Sequence, residues 1–425
     1  MKKINKFIAI LIAVLGVQIA SAQTDVTSTY LTNADFSSQD GWSTNVSAQY
    51  KDFGNGLIGT YRANGSGSVS TVDATHLNTE YCFGVECRWA NNYASFYQET
   101  KIALTPGVYT LSYDVENTNA NTTAASYNNL FNVKVGTSTY TDPDNEWAKG
   151  GSSWTTHSIT FVIAEESKAT ISLGYGTGSN NIGSANTPVL HISHLKLIYR
   201  SLDDISPENT ADLTSYINNH SFETGDMTGW TSAASSDTGV KPNSNGTYTT
   251  SGVHGNYLYN TWWQGTPLTQ TISNLPNGIY EFKVLVASGD GSGTTPDIYL
   301  LANGEHGDVY TISDGDNKKF HDVSLGFKVL NGQATIGVVG GNDDGSYNAN
   351  GHWWYKADNF RLIFKGADLS TLQEAFKSNY ENLKKLDKEN IPNAFANKIK
   401  KMLEKYATVP TSKKSSSPPQ TFSCG

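Results

Sequence analysis

Apolar and polar residues alternate with a period of two through much of the chain up to residue 365. Residues 107–113 (GVYTLSY), 157–163 (HSITFVI), 195–199 (LKLIY), 278–284 (GIYEFKV), 321–327 (HDVSLGF) and 360–364 (FRLIF) read this way, with Gly, Asn and Pro turns between them. Alternation sends successive side chains to opposite faces, so each stretch is predicted to be a half-buried strand. With no helical stretch of comparable length between them, the expected fold class is all-β, built as antiparallel β-sandwiches of the jelly-roll kind. The period changes past Asp368, where Leu369, Leu372, Phe376, Tyr380, Leu383 and Leu386 are spaced by three and four, as are Phe395, Ile399, Met402, Leu403 and Tyr406 after Pro392. That spacing predicts a short α-helical hairpin within residues 366–409, and the Ser- and Pro-rich residues 410–425 read as a disordered tail.

The strands come in two similar sets. DVTSTYLTNADFSSQDGW, from Asp25 to Trp42, is answered by DLTSYINNHSFETGDMTGW, from Asp212 to Trp230. Leu104–Leu111 answers Leu275–Phe282, His157–Ile163 answers His321–Phe327, Ala169–Ile171 answers Ala334–Ile336, and Leu195–Tyr199 answers Phe360–Phe364. A tandem repeat follows, with one sandwich over residues 24–200, a linker at 201–211 and a second sandwich over 212–365. Each copy has the size of a domain with its own core.

Residues 1–22 are expected to be absent from the mature protein. Lys2, Lys3 and Lys6 precede an apolar run and then Ala20-Ser21-Ala22, the pattern of a bacterial signal peptide cut before Gln23, which implies a secreted or periplasmic protein. Charge sharpens the choice of partner: the formal total of -9 resolves into +4 for residues 366–425, three lysines in the signal, and about -16 for residues 23–365. Sandwiches that acidic repel nucleic acid and polyanionic glycans, so a neutral partner is expected. Cys82 and Cys87 flank a short loop that an oxidising compartment could close, and two ordinary packed thiols are the alternative.

Three motifs then stand in order. Asn219-x-x-Phe222-Glu223 leads to Gly229-Trp230, Leu275-Pro276-x-Gly278-x-Tyr280 follows, and Asp358-Asn359-Phe360-x-Leu362 closes the second half. Together they resemble the galactose-binding-domain-like β-sandwiches, and most of all the carbohydrate-binding modules of secreted bacterial glycan-degrading proteins; the second half fits over its whole length and the first more loosely. The resemblance implies a structural calcium held by Glu223 and Asp358. A hard cation needs more oxygens than two carboxylates offer, so backbone carbonyls would complete the shell. In the first half these positions are Ser37 and Ser193, so calcium is expected in the second half alone.

Sugar rings bind where flat apolar faces stand beside polar groups. GNYLYNTWWQG, with Tyr257, Tyr259, Trp262 and Trp263, and GHWWY, with Trp353 and Trp354, have that mixture; Trp89 and Tyr93 are the first half's candidates. Alternation turns about half of such rings toward the core. Trp42 and Trp230, fixed in the opening motif, are assigned to packing. Catalytic signatures are missing: His191 and His194, three apart on an expected strand, should face opposite ways, and Glu86, Glu99, Glu116 and Glu281 show no pairing. The reading is a secreted, non-catalytic protein that binds a neutral polysaccharide or oligosaccharide, accessory to glycan degradation. Its rivals are a glycoside hydrolase or polysaccharide lyase, whole or a fragment, and an extracellular adhesion or scaffold protein.

Overall fold

In the computed structural model of the chain, the described residues are 23–38, 40–44, 58–62, 81–86, 93–117, 131–143, 151–176, 189–232, 238–244, 249–261, 267–288, 297–308, 310–311, 319–340 and 354–368. The signal segment, the helical hairpin and the tail lie outside them. The first half contains β1 (Thr24–Asp25), the one-turn helix α1 (Thr27–Tyr30), β2 (Ser43–Thr44), β3 (Ile58–Arg62), β4 (Tyr81–Glu86), β5 (Tyr93–Glu99), β6 (Gly107–Asn117), β7 (Asn132–Val135), β8 (Ser138–Thr141), β9 (Gly151–Ile163), β10 (Ala169–Gly176) and β11 (Val189–Arg200). They form one sheet in the order β3-β4-β11-β6-β9, with β1 on β11, and a second in the order β2-β5-β10-β7-β8.

The second half contains β12 (Ala211–Asp212), β13 (Gly239–Pro242), β14 (Tyr257–Asn260), β15 (Leu268–Ser273), β16 (Gly278–Ser288), β17 (Asp297–Ala302), β18 (Glu305–His306), β19 (Tyr310–Thr311), β20 (His321–Val329), β21 (Gln333–Gly340) and β22 (Tyr355–Phe364). Its sheets run β13-β14-β22-β16-β20, with β12 on β22, and β15-β21-β17-β18, with β19 on β17. The expected all-β class is what the chain adopts.

One of the expected correspondences between the halves is corrected by register. Gly107 pairs with Ile163 as Gly278 pairs with Val329, so His157–Ile163 corresponds to Val323–Val329, two residues beyond the expected His321–Phe327. A slip of two leaves every side chain on the same face, and the period-two pattern therefore could not reveal it.

The opening motif is explained by backbone geometry. Asn33 and Asn219 sit at φ 45° and 51°, and Phe36 and Phe222 at 58° and 59°, in the left-handed region. Such a turn needs outside anchors to hold non-glycine residues there. Asn33 Nδ2 donates to the Asp40 carbonyl at 2.8 Å and Asn219 Nδ2 to that of Asp226 at 2.9 Å, while Trp42 and Trp230 each return an indole N–H to the asparagine carbonyl at 3.1 Å. Gly229, at φ 84°, admits no side chain because a Cβ would lie 2.6 Å from that of Asn218. Trp230 then packs 4.4 Å from Phe360, and Trp42 stacks 5.1 Å from Phe96, ring centre to ring centre. Both tryptophans are core residues.

The two halves touch along a polar and aromatic seam. A 3-10 turn at Thr214–Tyr216 lies against the outer strands β8 and β9 of the first half. Tyr216 Oη accepts the Val162 N–H at 3.0 Å, and its ring centre is 4.6 Å from that of Tyr140. Ser215 Oγ donates to the Thr160 carbonyl, His220 Nε2 to that of Pro143, and Asn274 Nδ2 to Ser138 Oγ at 2.8 Å. Edge strands carry outward N–H and C=O groups that need partners, and here the second half supplies them.

Candidate functional site

The aromatic stretches of the second half are drawn together by a strand pair. In β14 and β22, Tyr259 stands opposite Ala357 and Asn260 opposite Lys356. The pairing continues beyond β14: the Thr261 N–H donates to the Tyr355 carbonyl at 3.0 Å, and the Tyr355 N–H to Thr261 Oγ1 at 3.1 Å. Trp354, half-buried, is pinned by a 2.7 Å bond from Nε1 to Asn260 Oδ1. Two segments some ninety residues apart thus meet at one end of the sheet.

The expected ligand residues divide. Tyr257 is half-buried, with its ring over Gly225, at the other end of the β14–β22 pair from Trp354. Tyr259 is wholly buried between Phe222 and Tyr355, its hydroxyl 2.7 Å from Ser232 Oγ, and offers no face to a ligand. Burial pushes its phenol up to about 12. Trp262, Trp263, Trp353 and Trp89 lie outside the described residues; Tyr93 opens β5 opposite Gly176, and its side chain lies outside them too. Lys356, missed in the sequence, is fully buried beside this site and donates from Nζ to Thr250 Oγ1 at 2.7 Å.

Glu223 and Asp358 grip one loop. Glu223 Oε1 accepts the N–H groups of Asn256 at 2.8 Å and Tyr257 at 2.9 Å, while Asp358 Oδ2 accepts that of His254 at 2.6 Å. Both carboxylates are buried. Amide donors compensate part of the cost of burying them. The donor chemistry suits a hard cation only if loop carbonyls join: among the described residues, no group of three or more His, Cys, Asp and Glu gathers to hold a metal. The first half has the same backbone turns, with His194 at φ 51° where Asn359 is at 47°, which places Ser37 and Ser193 at the equivalent positions.

The first half holds a cluster that sequence reasoning missed. A β-bulge between Ser193 and Lys196 breaks the alternation of β11, so His191 and His194 do not face opposite ways as expected. His191 Nδ1 meets Glu116 at 3.1 Å and His194 Nδ1 meets Asp114 at 2.7 Å, and these carboxylates are two residues apart on one face of β6. Thr156 Oγ1 adds a 2.6 Å bond to Asp114. The His191–Glu116 pair is fully buried, and Nε2 of His191 has no hydrogen-bond partner among the described residues. Cys82 is a buried free thiol nearby, pushed up to about 12 by burial and then by the charge of Glu116; Cys87 lies outside the described residues. No helix among the described residues is long and apolar enough to cross a membrane.

No protein-family model matches the chain, and no curated protein matches it. Solved structures similar to parts of it include TmCBM61 in complex with β-1,4-galactotriose, at 21% identity over 35% of this chain and 96% of that one, with a TM-score of 0.27. The CBM22-1 xylan-binding domain of Paenibacillus barcinonensis Xyn10C is 13% identical over 35% of this chain and 93% of its own, at a TM-score of 0.25. Paenibacillus xanthan lyase is 14% identical and covers 73% of this chain, which spans 25% of the lyase structure, at a TM-score of 0.25.

Proposed function

We propose that this chain is a secreted, non-catalytic carbohydrate-binding protein of two tandem sandwiches, accessory to glycan degradation, whose second sandwich takes a neutral glycan. The observation that supports this is the bonded junction of Asn260-Thr261 with Trp354-Tyr355, which brings the described end of one aromatic-rich stretch against the described end of the other. Trp354 is partly exposed and fixed in orientation, so a pyranose ring stacking on it orders little extra structure. A calcium ion at Glu223 and Asp358 belongs to the same proposal, as a brace for the loop that carries Tyr257.

Binding to a glycan array by the wild-type chain, weakened about tenfold or more by Trp354→Ala with an unchanged circular dichroism spectrum, is the expected result. Binding indifferent to that substitution would remove the site, and binding to a protein partner alone would favour the adhesion reading. A second reading, a hydrolase or lyase, draws on the His191–Glu116 and His194–Asp114 pairs of the first sandwich. Release of reducing ends or unsaturated sugars by the purified chain, lost in His194→Gln, is what it requires.

A further inference from the structure

The surface that the second half uses to grip the first has a twin in the first half. Asp25–Phe36 and Asp212–Phe222 share their turns and differ by one extra residue, Thr29, so Ser28 stands for Ser215 and Tyr30 for Tyr216. In the seam, Ser215 and Tyr216 are the residues that satisfy the outward backbone groups of β9. Both residue types are kept in the first half. Their surroundings differ: Ser215 and Tyr216 are buried in the seam, whereas in the first half Tyr30 is buried against Tyr109 of its own sandwich, and Ser28 and Asp35 are exposed and open onto a cleft of about 720 Å³ that Lys101 and Lys196 also line.

The other side of the seam has a twin as well. Register places Gly326 and Lys328 of β20 where β9 has Thr160 and Val162, and places Glu305 of β18 where β8 has Tyr140. Strand β20 is the outer strand of its sheet, as β9 is of its own. Thr160 and Val162 are buried in the seam, but Gly326, Lys328 and Glu305 are exposed. One chain therefore carries a filled knob and socket between its halves, an exposed knob at the β20–β18 edge of the second half and, on the first half, a socket open at Ser28 with Tyr30 already packed beside it.

We propose that this chain self-associates head to tail, the β20–β18 edge of one copy docking against α1 and the following turn of the next. Two features make a second copy the fitting occupant. The seam bond from Ser215 runs to a backbone C=O, which Gly326 of β20 presents in the same register as Thr160 whatever the side chain. Where Tyr140 is replaced by Glu305, the socket offers Lys101, whose Nζ lies 2.7 Å from the Ser28 carbonyl, so charge takes over from ring contact. Because knob and socket are different surfaces, the contact is heterologous and leaves one of each open after every addition.

Sedimentation velocity on the full chain, from low micromolar to roughly 1 mM, reads this directly. Mass should rise with concentration, and Ser28→Arg or Gly326→Arg should each weaken association by about tenfold or more. Both sites tolerate a larger side chain in the monomer, since Ser28 is exposed and a Cβ at Gly326 meets nothing nearer than 4.0 Å; unchanged circular dichroism checks this. A mixture of the two variants should form dimers that grow no further, one partner lending its intact knob and the other its intact socket. A chain that stays monomeric throughout, association that ignores both substitutions, or a mixture that stays monomeric would each overturn the proposal. Glycan binding through Trp354 is a separate property, and its failure would leave these outcomes unchanged.

Discussion

At the residue scale, burial decides what each polar side chain can do. Cys82 shares a sheet face with Glu116, and burial first, then that carboxylate's charge, holds the thiol neutral up to about 12. An unfolded thiol titrates near 8.5, so a raised folded value contributes stability that is complete below about pH 8.5 and is lost as pH climbs from there toward 12. Iodoacetamide at pH 8 should therefore leave Cys82 unlabelled in the native chain and label it once urea unfolds the sheet, as peptide mass mapping would read. Rapid native labelling would contradict the buried placement. His191 and His194 teach the complementary lesson: their carboxylate partners are 75 and 80 residues away, and the bulge that aims both rings at one face leaves no mark in the spacing.

Loops and strands at the element scale show which motifs are structural. The Asn-x-x-Phe and Gly-Trp pattern is a turn in which two residues take positive φ, a glycine admits no Cβ, and an indole closes the ring of bonds. It was legible because turn chemistry restricts residue type. Loop 254–257 is different, since its anchors, Glu223 in the opening turn and Asp358 on β22, are distant in the chain and act on its backbone N–H groups. The calcium ion proposed at this site would offset the burial of two carboxylates on one loop, with carbonyl ligands completing its shell. EDTA should lower the melting temperature of the full chain by several degrees, with calcium restoring it and Asp358→Asn abolishing the response. An EDTA-insensitive melt would leave the amide bonds as the whole explanation of the loop.

At the scale of the molecule, the seam makes the two sandwiches one buried cluster. Tyr216 joins Tyr140 and Phe161 of the first half to the second, and its phenol is held far above the ordinary range by burial and then by Tyr140. Tyr216→Ala should cost roughly 3–5 kcal/mol, the loss expected for a buried aromatic. Calorimetry should then show one transition splitting into two, and an unchanged profile would mean that the halves fold without help from each other. The strong negative charge of residues 23–365 acts at this scale too, since it disfavours anionic glycans before any contact forms.

What the sequence by itself determined was whatever depends on neighbours along the chain. Period-two alternation marked the strands, turn residues marked their ends, and the repeated opening motif paired the halves, because backbone sterics act over a few residues. Even the assignment of Trp42 and Trp230 to packing came from their place in that turn. Whatever depends on lateral register came only from the tertiary structure: the two-residue shift in β20, the wholly buried Tyr259, the junction of Thr261 with Tyr355, the imidazole–carboxylate pairs and the seam. A ladder can slide by two residues without altering any face, and a bulge can redirect one side chain without altering composition. Hydrogen bonds between strands and burial by a neighbouring sandwich choose among those options, and neither is written in local sequence.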